Sequence, residues 1–330
     1  MSINLGSNKI KAISTGSSKI KAVYVGSTKV WSAIRGIIAI ATAGVSSDYV
    51  DEVYVSTDLA TPVSIKLSNI RYTWRSSRVA CSKSRFVLLI PNNNTSYAGV
   101  HYSDDGVIWT PVLRSMVANS DDYPFNIKYF EEIDKFVAFY YQYLYLSSDG
   151  ISWSGSTVTA TSSGITDVVY GEGYILIVPY NGYQILYNVS DGTTSYISAE
   201  AGRVGMVVGA YGNGKFVAYE YGKGFSTLDL STKKWTLVSN ILTNAATTAI
   251  SMIFANGMFL VVTTFSGIFY SYDGITWTAY TPPKRIFKIS HDGDKFLGIS
   301  DSAFGYSYDG LNWSYVTVND TLAYGGIAGN

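Results

Sequence analysis

The chain predicts an all-β protein: a short β-repeat arm over residues 1–35, then a seven-bladed β-propeller over residues 36–330, with six or eight blades as the alternative counts. Three observations predict it. Gly-Ser pairs recur every ten residues at the N-terminus, and a Tyr-Ser-x-Asp-Gly-x-x-Trp sequence recurs about every forty-two residues through the rest. The composition holds 28 Tyr and 31 Gly but only 7 Pro, which suits strands joined by tight turns.

In the arm, Gly6-Ser7, Gly16-Ser17 and Gly26-Ser27 are followed at one offset by Lys9-Ile10-Lys11, Lys19-Ile20-Lys21 and Lys29-Val30-Trp31. Ile20, Ala22 and Tyr24 alternate with Lys19, Lys21 and Val23, a period of two that fits short strands. Three such strands make too small a core to stand alone. The arm is therefore expected to pair with copies of itself in an oligomer or with a partner's sheet edge. Residues 1–35 carry six cations and no acid, which leaves eighteen cations against twenty-four acids in the rest. The zero net charge thus splits into a basic arm and an acidic body.

In the body, the repeat reads Tyr102-Ser103-Asp104-Asp105-Gly106-Val107-Ile108-Trp109, then Leu146 to Trp153, Tyr270 to Trp277 and Tyr306 to Trp313. Weaker copies lie at Val55 to Asp58, Val189 to Gly192 and Ser231 to Trp235. With Asp58, Asp105, Asp149, Asp191, Ser231, Asp273 and Asp309 as markers, the intervals are 47, 44, 42, 40, 42 and 36 residues. Upstream of each marker, a tight turn precedes an apolar run, as in Gly212-Asn213-Gly214-Lys215-Phe216-Val217 and Asn256-Gly257-Met258-Phe259. Each copy reads as four antiparallel strands, one propeller blade. Asp-Gly and Asn-Gly supply the positive φ of two-residue hairpin turns. Trp109, Trp153, Trp277 and Trp313, four residues after Asp105, Asp149, Asp273 and Asp309, are expected to pack between blades. Thr321 to Ala328 reads as an innermost strand, and the copy starting at Gly36 lacks one, so the two are expected to join and close the ring.

The composition excludes other classes. With 47% hydrophobic and 15% charged residues the chain can bury a core, so disorder is excluded, and Cys81 alone cannot make a disulfide scaffold. Neutral charge argues against a nucleic-acid partner. The longest apolar stretch, Gly36 to Val45, is too short for a membrane helix, and Met1 to Lys11 does not read as a secretory signal. With His101 and His291 the only histidines, there is little material for a zinc site or a nucleophile-histidine pair. His291-Asp292-Gly293-Asp294 aligns with Gly212-Asn213-Gly214 and reads as a structural turn, so no metal and no cofactor are expected.

The Ser-x-Asp-Gly-x-x-Trp hairpin resembles the Asp-box of sialidase-type propellers, with one residue fewer between Asp and Gly. The resemblance spans residues 36–330. It implies a propeller, and the sialidase site would add three arginines, a Tyr-Glu pair and an Asp acid. The eight arginines, Arg78 and Arg285 among them, do not recur at one blade position, and Glu131, Glu132 and Glu172 fall at turns between first and second strands. Catalysis is therefore not expected, and a glycan hydrolase is the alternative from another class.

Loops after the second strand of each blade gather at one end of the channel. They are rich in Tyr and Asn, whose flat faces and polar edges suit sugar rings or a protein partner. Tyr97, Tyr141, Tyr143, Tyr180, Asn181, Tyr183 and Tyr221 are the candidate ligand-binding residues.

The arm sequences Leu5 to Ile13 and Val23 to Trp31 resemble the Gly-Ser-x-Lys-Ile-Lys repeats at the N-termini of bacteriophage virion proteins. The propeller is similar to those of phage tail and adornment proteins. The resemblance implies a non-enzymatic virion structural protein, made in the bacterial cytoplasm and located in the virion. Lys9, Ile10, Lys11, Lys19, Ile20, Lys21, Tyr24, Lys29, Val30 and Trp31 would dock on other virion proteins. Many copies or a homo-oligomer, a trimer for example, would present the propeller for attachment to host surface glycan. A purely structural capsid, neck or head-fibre decoration is the alternative, and neither membrane insertion nor nucleic acid is expected.

Overall fold

The computed structural model describes residues 78–89, 100–112, 126–158, 164–179, 182–197, 205–242, 248–264, 267–318 and 327–329, with the strands of residues 14–66. Described residues outside turns are almost entirely strand, and the fold is a β-propeller. Six blades are contiguous meanders of four consecutive antiparallel strands, spanning 78–111, 126–157, 165–197, 206–239, 249–280 and 288–317. The expected further blade has no contiguous meander of its own. One more four-stranded sheet is instead composite: Ile327–Gly329 pairs with Ile37–Ile40, followed by Glu52–Ser56 and Val63–Lys66. Innermost strands touch their neighbours in chain order, and Ile327–Gly329 touches both Lys288–His291 and Arg78–Cys81.

The core is a set of wedges between sheets. Val87 and Leu89 pack with Phe136 and Ala138, and Val217 and Phe225 with Phe259 and Val261. At the closure, Ile327 joins the wedge of Leu297 and Phe304, while Ala328 joins that of Val79 and Phe86. Second strands are covered on both faces by neighbouring sheets, so Phe86–Leu89 and Met258–Thr263 are buried throughout. That explains their continuous apolar sequence. The fourth strand Ser154–Thr157 is exposed at all four residues, because it faces solvent at the rim.

The Asn-Gly turns between first and second strands are two residues long, as expected. Asn213 and Gly214 take φ of 49° and 71°, the paired positive values of a type I′ hairpin. The Asp-Gly segments are not two-residue turns. The third strand ends at Ser103, Ser147, Ser271 or Ser307 and the fourth begins seven residues later, so six residues form a loop built around the Asp. The weaker copies also differ: Asp229, not Ser231, is the acceptor in its blade, where it receives the Ser231 N–H and hydroxyl at 2.8 and 2.7 Å.

In the arm, Ser14–Thr15 pairs with Ser18–Lys19 and Ala22–Val25 with Thr28–Ser32. These two-stranded sheets pair within the chain and share no strand with the propeller sheets. Lys19, Tyr24, Lys29, Val30 and Trp31 lie in these strands. Lys9, Ile10, Lys11, Ile20 and Lys21 fall outside the described residues.

Candidate functional site

The two ends of the propeller are built differently. At one end lie the turns between first and second strands and the Asp loops between third and fourth. Ser271 Oγ donates to Asp273 Oδ1 at 2.9 Å, and that oxygen accepts the Ile275 and Thr276 N–H at 2.8 and 2.7 Å. Gly274 N–H donates to Ser271 Oγ at 2.8 Å. The loops of Asp105, Asp149 and Asp309 repeat the hydroxyl-to-Asp and backbone-to-Asp bonds. The backbone N–H groups of Thr276 and Ile275 hold the Asp273 carboxyl well below its usual range, since they favour the charged form.

Each loop also docks on the blade before it. Gly274 and Gly310 have φ of 72° and 76°, and a Cβ on Gly310 would lie 2.5 Å from Met258 Cε. Glycine is favoured there by the backbone angle, and any Cβ would have to displace the Met258 methyl. Turns of the preceding blade complete the clasp: Arg85 Nη1 donates to Asp149 O at 2.7 Å, Lys215 Nζ to Asp273 O at 3.0 Å and Asn213 Nδ2 to Tyr272 O at 2.8 Å. The tryptophans fill the wedges between blades as expected. Trp153 packs on Val87 and Phe136, Trp313 on Met258 and Phe296, and Trp277 stacks on Phe225 with ring centroids 3.7 Å apart. Indole Nε1 of Trp109, Trp153 and Trp313 donates to the carbonyl of its own loop glycine.

At the opposite end, loops after second strands meet the linkers that enter innermost strands. Ile165 N–H donates to Tyr141 O, Tyr221 N–H to Gly205 O and Thr264 N–H to Thr248 O, each at 2.9 Å. Tyr141, Tyr183 and Tyr221 stand on this end in three successive blades, 42%, 52% and 46% exposed. Tyr183 meets Tyr196 edge-on at 6.4 Å. Tyr143 is a correction: it is not a loop residue but begins the strand Tyr143–Ser147, pairs with Tyr140 and is half-buried against the wedge of Phe136 and Tyr145. The strand continues to Tyr143 because the loop needs only Tyr141 and Gln142, Tyr141 taking φ of 48°. Tyr97, Tyr180 and Asn181 lie outside the described residues. Glu220, also at this end, is buried, with Oε1 2.7 Å from Lys223 Nζ and Oε2 without a partner among the described residues.

The structure adds a group that the sequence reading did not single out. Arg78, Asn126, Asp167, Val208, Ser251 and Lys288 pair with Leu89, Phe139, Val178, Tyr219, Val262 and Ile299. Each of those partners lies three residues into its apolar run after Phe86, Phe136, Ile175, Phe216, Phe259 or Phe296, so the six form one level of the ring. Lys128 reaches from the next level to Asp167 Oδ1 at 2.5 Å and to Val168 O at 3.0 Å. Asp167 is otherwise held by the N–H groups of Val168 (2.9 Å) and Gly209 (3.0 Å). The Lys288 ammonium is pushed down to about 7, first by burial and then by Arg78 and Lys128, with Asp167 opposing. Lys128 and Asp167 sit on blades across the ring from Lys288, and Arg78 on the blade beyond the composite sheet, so their charges act on Lys288 from other blades. The signal in the sequence is a charged residue in four of the six innermost strands, Arg78, Lys128, Asp167 and Lys288, legible only once the blades are in register.

His101 is buried in a third strand, its imidazole pushed down to about 4 by burial. His291 lies at the Asp-loop end, its Nδ1 accepting the Gly293 N–H at 3.0 Å. Burial raises the Cys81 thiol. Among the described residues no group of three His, Cys, Asp or Glu could hold a metal.

No protein-family model and no curated protein matches the chain. Solved structures do. A streptogramin B lyase is 12% identical with a TM-score of 0.62, over 76% of this chain and 86% of that one. YCF48 bound to a D1 peptide is 12% identical with a TM-score of 0.58, over 81% and 85%. Catalytically inactive virginiamycin B lyase from Staphylococcus aureus with quinupristin is 12% identical with a TM-score of 0.60, over 80% and 92%. At such identities the likeness shows the β-propeller fold alone.

Proposed function

We propose that the chain is a non-enzymatic bacteriophage virion protein that docks through its N-terminal arm and presents the tyrosine-bearing end of the propeller to host surface glycan. We count the composite sheet as a seventh blade. The observation that carries the reading is the contrast between ends. The Asp loops repeat from blade to blade with their polar groups engaged internally, whereas Tyr141, Tyr183 and Tyr221 are about half exposed in three adjacent blades. Exposed tyrosine binds sugar rings and polar surfaces at low entropic cost. The ten-residue Gly-Ser-x-Lys repeats and the arm's separate hairpins support a docking element apart from the propeller. Weak single-site contacts would be multiplied by copy number on the particle.

The lyases among the structural neighbours raise an enzymatic reading. This chain's histidines do not favour it, one being buried in a third strand and the other bonded within a turn at the far end. The test is adsorption of the full chain to host cells and to a glycan array, with Tyr141, Tyr183 and Tyr221 together changed to Ala. Loss of binding in the triple variant is expected. Absence of binding by the multivalent parent would leave a decoration role in place of attachment, and release of reducing sugar would overturn the non-enzymatic reading. In the particle, a chain lacking residues 1–33 is expected to fail to incorporate.

A further inference from the structure

We propose that a groove at the Asp-loop end, between the blades of residues 126–157 and 165–197, receives the N-terminal arm of a second copy of this chain, with Trp31 seated in it. This rests on the reading of the arm as a docking element and names another copy as its partner.

The groove opens where the clasp between blades is incomplete. Five wedges hold a tryptophan of the later blade: Trp109, Trp153, Trp235, Trp277 or Trp313. The wedge of Val137, Phe139, Val168 and Ile175 holds none, since the sequence has no tryptophan between Trp153 and Trp235. The polar clamps are missing as well. Asn213 and Asn256, three residues before Phe216 and Phe259, donate to the carbonyls of Tyr272 and Tyr308 in the following blade. The residue three before Phe136 is Ile133, which has no amide to donate. Lys215 reaches Asp273 O in the following blade, whereas Lys135, at the same offset from Phe136, donates to Ser148 Oγ of its own blade. The loop of Asp191 closes on itself, Asp191 Oδ1 accepting the Thr193 N–H at 2.8 Å and Asn188 Oδ1 the Ser190 N–H at 3.0 Å. A Cβ on Gly150 would lie 2.4 Å from Val87 of the preceding blade, but one on Gly192 would meet only Tyr187 of its own blade, at 3.5 Å. What remains open is a groove of about 410 Å³, with Ile133, Tyr170, Glu172, Tyr174, Asn188 and Val189 in its lining.

Three observations name the occupant. The other wedges show that an indole is what this blade geometry takes. Of the two remaining tryptophans, Trp74 falls outside the described residues, and Trp31 lies in the arm strand Thr28–Ser32, whose sheet shares no strand with the propeller. Charge is complementary. Glu132, Glu172 and Asp191 are exposed on the turns flanking the groove and form no ion pair among the described residues, while the arm carries six cations and no acid. The arm also leaves the propeller at the Asp-loop end, because it runs into the start of the second strand Ile37–Ile40, where Ile37 pairs with Gly329. It cannot readily serve its own groove. The six residues from Trp31 to Ile37 reach about 20 Å at most, whereas the groove lies beyond two neighbouring sheets, about 25 Å away at the usual spacing of packed sheets.

The experiment is sedimentation velocity of the full chain over a range of concentrations at low and high salt. Self-association that weakens with salt is expected. Trp31→Ala, which spoils the arm, and Ile133→Arg, which puts a cation in the groove, should each weaken it by about tenfold or more. Glu172→Lys, at an exposed turn position, serves if Ile133→Arg does not fold. An equal mixture of the arm variant and the groove variant should associate where neither does alone, because the intact arm of one meets the intact groove of the other. Misfolding of either variant would not produce that result. A chain that stays monomeric, association unchanged in either variant, or no association in the mixture would overturn the groove as the arm's partner. Incorporation into particles, scored for Ile133→Arg and for the chain lacking residues 1–33, separates the two readings. Arm-dependent incorporation without self-association overturns the groove alone, and self-association without arm-dependent incorporation overturns virion docking alone.

Discussion

The Asp-loop end and the tyrosine end of the propeller are made by the same strands, yet they obey different rules. At the Asp-loop end four loops share one bonding scheme, a buried serine and an Asp accepting two backbone N–H groups, and Gly150, Gly274 and Gly310 press on the preceding blade. At the tyrosine end the loops differ from blade to blade and expose aromatic rings. Repetition with engaged polar groups is what holding blades together demands. Variation with exposed aromatic rings is what recognition demands, because a ligand does not share the repeat of the ring.

Substitutions can break that contrast, and the largest effect should come from neither end. Removing residues 327–330 takes the innermost strand from the composite sheet and uncovers the edge of Ile37–Ile40. Loss of a single cooperative thermal transition is expected by calorimetry. Next, Trp277→Ala at the Asp-loop end should cost about 3–5 kcal/mol in denaturant unfolding, since it empties a wedge between two blades. Asp273→Ala should cost about 1 kcal/mol, comparable to loss of a helix cap. Its pH signature is separate. The folded carboxyl titrates below its unfolded value of about 4, so its contribution is present above that pH and is lost as pH falls further. Asp273→Asn should flatten this part of the acid profile.

In the channel the slope has the same sign but lies at higher pH, because burial disfavours the charged form of a lysine. Lys288 is pushed down to about 7 from 10.5, with Arg78, Lys128 and Asp167 as the charged groups facing it. Between those values the unfolded chain binds more protons, so stability rises with pH across that window. Lys288→Met should remove that rise, read from denaturant midpoints at pH 6 and 10. The smallest effect on stability belongs to the tyrosine end. Tyr141→Ala, Tyr183→Ala and Tyr221→Ala should each shift unfolding by less than about 0.5 kcal/mol while abolishing adsorption together. A stability loss as large as that of Trp277→Ala would mean that these rings are structural and would erase the contrast.

Much of the Asp-loop end was legible because it repeats. Ser, Asp, Gly and Trp recur at fixed offsets, and each offset has a local cause in a hydrogen bond or a positive φ. The loop length was not legible, because Asp-Gly also opens two-residue hairpins, and only pairing shows that the fourth strand begins at Thr110 or Thr278. Of the candidate tyrosines, Tyr141, Tyr183 and Tyr221 stand exposed, whereas Tyr143 is drawn into its strand by pairing with Tyr140. Arg78, Lys128, Asp167 and Lys288 passed unnoticed. Nothing in the spacing of residues 78, 128, 167 and 288 signals that they share one channel.

The sequence by itself determined the repeating blade, its turns and its wedge tryptophans, because these are set by interactions within about ten residues and by the two-residue period of strands. Only the tertiary structure decided which residues face one another across the ring and how the two termini of the body combine into one sheet. Those contacts join positions dozens to hundreds of residues apart, brought into register by ring closure and by packing between sheets, which no local pattern encodes.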